Sequence, residues 1–330
     1  MGVFSEINIF PSPNVIQEAG SDLFGVIKYT VDEDTIFNEI NISLNGSGSL
    51  IVIESVRSGD RQTENVFRYA ENYIKMNNLI VSHDTITPIG VYEIPFHFKL
   101  PSNIPSSLKY NTVNGNYRID CTIAYNVTVV FKRSCSSNFN NTVIKAVHIE
   151  SGITPRLRMT PITYGHQKKI LQLFSKKNGV VNIKADIQTC IVEPNGKVKL
   201  SYIINNDTNV TVKSVQIKLV EQYTFSDKVT SKLVDYNDII DTKSKTGRIK
   251  SGNTQCMDIE IDLPSGLTTI EFSKLVMRNY FIYVTVVLPF PHSNIIMKIP
   301  IQIGYETVND NMYDGPPAYY DAIKTDAVKS

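Results

Sequence analysis

Histidines, cysteines, two lysine pairs and one proline–tyrosine cluster are the residues whose types and spacing could do chemistry. The five histidines, His83, His97, His148, His166 and His292, stand far apart and never approach the HExxH spacing that holds zinc on one helix face. The four cysteines, Cys121, Cys135, Cys190 and Cys256, are equally scattered, with no CxxC. There is no G-x-S-x-G nucleophile elbow and no G-x-x-x-x-G-K-[ST] phosphate loop. Enzyme chemistry therefore has no signature here, and neither a cofactor nor a metal site is expected. Gly46-Ser47-Gly48 is a lone G-x-G behind a strand pattern and reads as a hairpin loop, since glycine's permissive backbone suits turns. His97, between core-type Phe96 and Phe98, is expected to point outward as an ordinary surface group.

Two constellations can bind rather than react. Lys168-Lys169 and Lys176-Lys177 flank the apolar stretch ILQLF. One reading is solvated strand ends and a turn; the sharper one is a salt-sensitive basic site for acidic cargo tails or lipid headgroups. The other constellation is Pro316-Pro317-Ala318-Tyr319. Consecutive prolines favour the extended polyproline II form, so the segment has little ordering entropy left to lose in an aromatic groove. As a ligand of WW domains, Pro316 and Pro317 would insert between aromatic rings, Tyr319 would fill a neighbouring pocket, and Ala318 would space them. Tyr320-Asp321-Ala322-Ile323 also fits the tyrosine-x-x-bulky pattern read by clathrin adaptors.

The elements that must carry these residues follow from patterning. The 330 residues are 42% hydrophobic and 20% charged, with a formal net charge of +1, an ordinary globular balance with no wholesale attraction to nucleic acid. No apolar run approaches the roughly 20 residues of a membrane span. No secretory signal pattern occurs, and Glu6 stands where a myristoylation signal has Ser or Thr. The expectation is a reduced, cytoplasmic compartment, in which triplets such as Asn126-Val127-Thr128 are incidental.

From Tyr117 to Phe131, apolar side chains fill the odd positions (Ile119, Cys121, Ile123, Tyr125, Val127, Val129) and mostly polar ones the even positions. Side chains alternate faces along a strand, so this is a long strand with one buried face. Ile295, Met297, Ile299, Ile301 and Ile303 repeat the pattern. The chain is predicted to be all-β.

It also echoes itself. Phe96-x-Phe98-x-Leu100-Pro101-Ser102 matches Ile259-x-Ile261-x-Leu263-Pro264-Ser265, and in each copy an aromatic-led strand opens 16 residues after the proline, at Tyr117 and Tyr280. Ile40-x-Ile42-x-Leu44 matches Val215-x-Ile217-x-Leu219. Each proline is expected to end a strand, because it lacks the N–H the ladder needs. Duplication predicts two β-sandwiches, at 1–152 and 153–304. Residues 151–165, with Gly152, Pro155, Pro161 and Gly165, read as the connector. From residue 304 onward five acidic residues face two lysines, a net charge of −3, and residues 305–330 are expected to form a disordered tail.

Specific stretches then resemble the α-arrestins, the arrestin domain-containing proteins. GVYEIPFHFKLPSNIPSSLKY followed by NGNYRIDCTIAY is similar to the family's N-domain pattern, with Arg118 on its motif arginine. The stretch from His166 to Gln222, with its Asn195-Gly196-Lys197 turn and an I-x-N element before the V-x-I-x-L strand, resembles the start of the C-domain; IPIQIG resembles the closing strand. Lys197 replaces a frequent Glu, tryptophan is absent, and the tail carries one Pro-Pro-x-Tyr where many relatives have two. The resemblance implies two arrestin-like sandwiches and a non-enzymatic adaptor. Such an adaptor engages cytoplasmic regions of membrane receptors or transporters at the plasma membrane or endosomes. Its tail recruits a HECT-type ubiquitin ligase through WW domains, directing cargo into endocytosis or lysosomal sorting. A structural subunit of an endosomal coat, like retromer's arrestin-like component, is the alternative within the same fold.

Overall fold

Alternate side chains of strand after strand turn to opposite faces, and the apolar ones meet in two cores. The computed structural model describes residues 4–10, 16–58, 61–133, 140–170, 179–226, 233–239 and 243–306. The N-terminal half begins with β1 (Phe4–Phe10), β2 (Gln17–Glu18), β3 (Asp22–Val31), β4 (Thr35–Ser58), β5 (Arg61–Val81) and β6 (Thr85–Thr87). It continues with β7 (Gly90–Lys99), β8 (Leu108–Asn114), β9 (Tyr117–Arg133), β10 (Asn140–Val147) and β11 (Ile149–Glu150). The C-terminal half begins with β12 (Ile162–Ile170), β13 (Gly179–Ile187), β14 (Ile191–Val192), β15 (Lys197–Asp207) and β16 (Ser214–Phe225). It closes with β17 (Leu233–Asp238), β18 (Ser244–Lys245), β19 (Thr254–Asp262), β20 (Val276–Val287) and β21 (Ile295–Ile303).

The two halves share one plan. Sheet β1-β3-β7 and sheet β10-β9-β4-β5 enclose the first core; sheet β12-β13-β15-β19 and sheet β14-β21-β20-β16-β17 enclose the second. The sequence echo falls on matching places. Ile40, Ile42 and Leu44 on β4 and Val215, Ile217 and Leu219 on β16 are all buried. Each Leu-Pro-Ser follows an outer strand, β7 or β19, with Leu100 and Leu263 buried just past its end. One detail differs: β20 opens at Val276, so Tyr280 lies inside its strand rather than at its start. On β9, the residues from Ile119 to Phe131 at odd positions are buried, while Arg118 and Asp120 are exposed. The chain is all-β, as its patterning predicts.

One expectation needs correction. Gly46-Ser47-Gly48 is no hairpin loop; it lies inside β4, where the register against β5 shifts between Gly46 and Ser47. The glycines are there for space: a Cβ at Gly46 would lie 2.4 Å from the Tyr125 ring, and one at Gly48 would lie 2.5 Å from the Tyr73 hydroxyl. Tyr125 cannot yield, because its hydroxyl donates to the buried Pro105 carbonyl at 2.6 Å. Within 151–165, the stretch read as the connector, much of the backbone is tied down. Ile162 to Gly165 pair with β13, and Ile153 is buried with its N–H donating to the Tyr305 carbonyl at 2.8 Å. The Gln302 side chain accepts from the N–H groups of Arg156 and Leu157 and donates to the Thr154 carbonyl, which satisfies three backbone groups of a segment outside any ladder.

Candidate functional site

Of the residues expected to bind partners, Lys168 and Lys169 fall within the described part of the chain. Lys176, Lys177, Pro316, Pro317 and Tyr319 lie outside the described residues, as do Tyr320 to Ile323. Lys168 and Lys169 are neighbours on β12 and therefore face opposite sides of the sheet. Lys168 Nζ donates to the Ser293 hydroxyl at 2.7 Å and the Ser293 carbonyl at 3.0 Å, tying β12 to the turn before β21. Lys169 sits opposite Val180 on the other face. On that face Gly165 leaves room for a groove of about 320 Å³, lined among others by Gln167, Asn182, Lys184 and Asn205. The described lysines thus do not form one patch.

His97 is on the outer face but is not an ordinary surface group. Its Nε2 lies 2.6 Å from Asp22 Oδ1, and its ring stacks on Phe24 at 4.7 Å between centroids. Cys121 is a core residue whose thiol burial pushes up to about 12, which keeps it protonated and unreactive. Among the described residues no group of three His, Cys, Asp or Glu side chains is arranged to hold a metal ion.

A basic, aromatic face exists elsewhere, on the outer side of the C-terminal sheet. Lys218 on β16 stands opposite Tyr283 on β20, which stands opposite Lys298 on β21. Cross-strand partners share a face, so the three form one row. Lys298 Nζ lies 5.1 Å from the Tyr283 ring centroid and 5.5 Å from that of Tyr236, while Lys218 Nζ lies 5.7 Å from Tyr283. Beside the row is a cavity of about 280 Å³ lined by Gln216, Lys218, Asp238, Lys243, Ser244 and Lys245. Asp238 accepts from Lys218 at 2.7 Å and lies 3.3 Å from Lys243, and these lysines, Lys218 first, hold its carboxyl below the usual range. Four lysines against this one carboxylate leave a positive surplus over flat rings, which suits an anionic group and weakens with salt. Sequence reasoning missed it because Lys218 and Lys298 each occupy one polar position of an alternating strand. Strand pairing brings them together.

The comparisons with known proteins agree with this architecture. Residues 8–151 match the N-terminal domain of arrestin (or S-antigen), and residues 177–307 match its C-terminal domain. The chain belongs to the arrestin family. It is similar to arrestin domain-containing protein 17 of Caenorhabditis elegans, 22% identical over 309 residues that span 90% of this chain and 69% of that protein. Arrestins are non-enzymatic scaffolds that bind cargo receptors and other adaptors. No helix among the described residues is long and apolar enough to cross a membrane.

The two domains of this arrestin are joined by side chains as well as by sequence. Tyr223, Phe225, Ile270, Leu275 and Val276 of the second half pack into the core cluster of the first. Tyr110 on β8 lies over Tyr223, with ring centroids 3.9 Å apart, and its hydroxyl accepts from Asn237 Nδ2 at 2.8 Å. Asn114 Nδ2 donates to Asp235 Oδ1 at 3.1 Å. At the other end of the junction, the Tyr73 and Ser273 hydroxyls are 2.8 Å apart, and Glu71 Oε2 accepts from the Lys274 N–H at 2.8 Å. Behind the junction a buried ionic group completes the support. Arg278 donates through Nη2 to Thr268 Oγ1 at 2.6 Å and lies 3.8 Å from Glu221, which accepts from the Tyr223 hydroxyl at 2.9 Å. A buried arginine left unpaired would be costly, so these partners fix how β16 and β20 present Tyr223 to the first domain.

Proposed function

We propose that this arrestin is an α-arrestin-type adaptor acting in the cytoplasm. It engages cytoplasmic regions of membrane receptors or transporters at the plasma membrane or endosomes. Through Pro316, Pro317 and Tyr319 it recruits a HECT-type ubiquitin ligase that carries WW domains. Cargo ubiquitination then directs endocytic and lysosomal sorting. The observation that carries the reading is an arrestin body whose last described strand, β21, ends at Ile303, with an acidic, aliphatic-poor sequence after it that carries Pro316-Pro317-Ala318-Tyr319. That composition is of the kind that favours solvent over a core, and Pro-Pro-x-Tyr has the chemistry of a WW ligand. Of the four lysines Lys168, Lys169, Lys176 and Lys177, Lys168 is taken up by Ser293; the charge of the other three supports a salt-sensitive contact to acidic cargo segments or lipid headgroups.

The test is titration of the tail against a ligase WW array, with cargo ubiquitination followed in cells. Tyr319→Ala removes the pocket-filling ring, and replacing Pro316 and Pro317 by alanine removes the preformed extended backbone; either change should abolish binding. Ala318→Ser should change little. One motif binds weakly, so robust recruitment needs tandem WW domains meeting clustered tails. If Tyr319→Ala supports binding and ubiquitination as wild type does, the ligase reading fails and a structural coat subunit takes its place.

A further inference from the structure

One edge of the N-terminal domain carries apolar side chains where an edge strand ordinarily carries charge. β6 pairs with β4 at Thr35 to Phe37, and β5 pairs with β4 from Ile40 onward, so β5 and β6 follow one line along the same side of β4. Among the described residues, both pair only with β4, which leaves the outer side of this line without a strand. Leu79, Ile86 and Ile89 are 53%, 67% and 66% exposed. The register shift that sets Val81 opposite Ile40 and Leu79 opposite Asn41 leaves Ile80 bulged and exposed beside them. Ile86 lies opposite Ile36, which is exposed as well.

These side chains are held in place rather than loosely displayed. The Ile89 N–H donates to Asp34 Oδ1 at 3.1 Å, and the Tyr92 hydroxyl donates to the Pro88 carbonyl at 2.8 Å, so the corner between β6 and β7 is anchored at both residues. An apolar row on an anchored backbone pays no ordering cost when a partner covers it. The surrounding charge is acidic. Asp32, Glu33, Asp34 and Asp84 are all exposed at this end, and Arg133, 3.9 Å from Glu33, offsets part of it.

We propose that the β5–β6 edge docks an extended partner segment in which lysine or arginine alternates with aliphatic residues. The occupant we assign is the cytoplasmic stretch of a membrane protein that directly flanks its span. Such stretches are enriched in lysine and arginine next to apolar residues. The segment adds a strand to the open edge: its backbone pairs with β5 and β6, its aliphatic side chains cover Leu79, Ile86 and Ile89, and its cations meet Asp32 and Glu33. This assignment rests on the cargo part of the function proposed above and is independent of the ligase part.

The test titrates a fluorescent synthetic peptide of alternating lysine and valine into the purified full chain, read by anisotropy at low and high salt. Wild type should bind. Ile86→Ser with Ile89→Ser should weaken binding by about tenfold or more, since both apolar contacts are lost. Asp32→Asn with Glu33→Gln should weaken it and flatten its salt dependence. A peptide with proline at alternate positions should not bind, because it cannot donate to the edge. Val113→Ser, at an exposed valine on β8, should bind as wild type and controls for general stickiness. Melting of the serine variants should match wild type, since the replaced side chains are exposed. Equal binding by the Ile86/Ile89 variant, equal binding of a glutamate–valine peptide, or no binding by wild type would overturn the proposal. Self-association that the isoleucine variant abolishes would assign the edge to a second copy instead. The Tyr319→Ala chain should bind the peptide unchanged, so loss of ligase recruitment and loss of this site are read separately.

Discussion

Tyr110 of the first sandwich donates its hydroxyl to Asp235 Oδ2 of the second at 2.5 Å, across 125 positions of sequence. Asp235 is buried, and with the Tyr110–Tyr223 stack this bond makes the domain junction a packed contact rather than a flexible link. Burial, and after it the Asp235 bond, raise the Tyr110 hydroxyl far above its ordinary value, so the phenol stays a donor through the physiological range.

Tyr110→Phe should therefore cost about 1–3 kcal/mol, because the ring stack survives while a buried carboxylate loses a donor. Tyr110→Ala should cost more and separate the unfolding of the two domains. Calorimetry of the full chain checks both; a phenylalanine variant as stable as wild type would show that Asp235 is satisfied without Tyr110.

Gly46→Ala should destabilise the first sandwich by about 1–3 kcal/mol, since the new methyl must displace the anchored Tyr125 ring. Gly165→Ala meets nothing within 4 Å and should stay within about 0.5 kcal/mol of wild type. Chemical denaturation of the two variants side by side gives the comparison.

Ile123→Asp places a charge on the buried face of β9 and should cost about 4 kcal/mol or more. Thr122→Asp, one residue earlier on the opposite, half-buried face, should cost much less. Similar melting losses for the pair would contradict the orientation of β9.

Acid should remove the stability contributed by the Asp238 ion pairs in a defined window. Lys218, hydrogen-bonded to Asp238, and Lys243 behind it hold that carboxyl below its ordinary 3.8. A carboxyl depressed in the folded state contributes stability that is complete above its unfolded value and lost as pH falls through the folded one. The loss from Asp238 therefore lies below pH 3.8. Lys218→Met should move the Asp238 titration, followed by carboxyl NMR, upward toward that value; an unmoved titration would show that Lys218 is not its main partner.

What the sequence by itself determined is what a strand states locally. The alternation from Ile119 to Phe131 names a buried face because the side-chain period is two whatever the strand pairs with, and the repeated Leu-Pro-Ser marks strand ends because proline lacks a donor anywhere. The β-sandwich class and the duplication follow from such local facts. Tertiary structure decided whatever depends on a neighbour remote in sequence. Gly46 is a glycine because of the Tyr125 ring, so a turn reading from its own neighbourhood misplaced it. Lys168 and Lys169 look like a pair in sequence and are turned apart by the strand they share, whereas Lys218 and Lys298 look unrelated and are aligned by β20 between them. Tyr110 and Asp235 belong to different domains, and no pattern within either one announces their bond. Pairing register and domain packing are properties of contacts between segments, and a single segment's residue order carries no record of which partner it will meet.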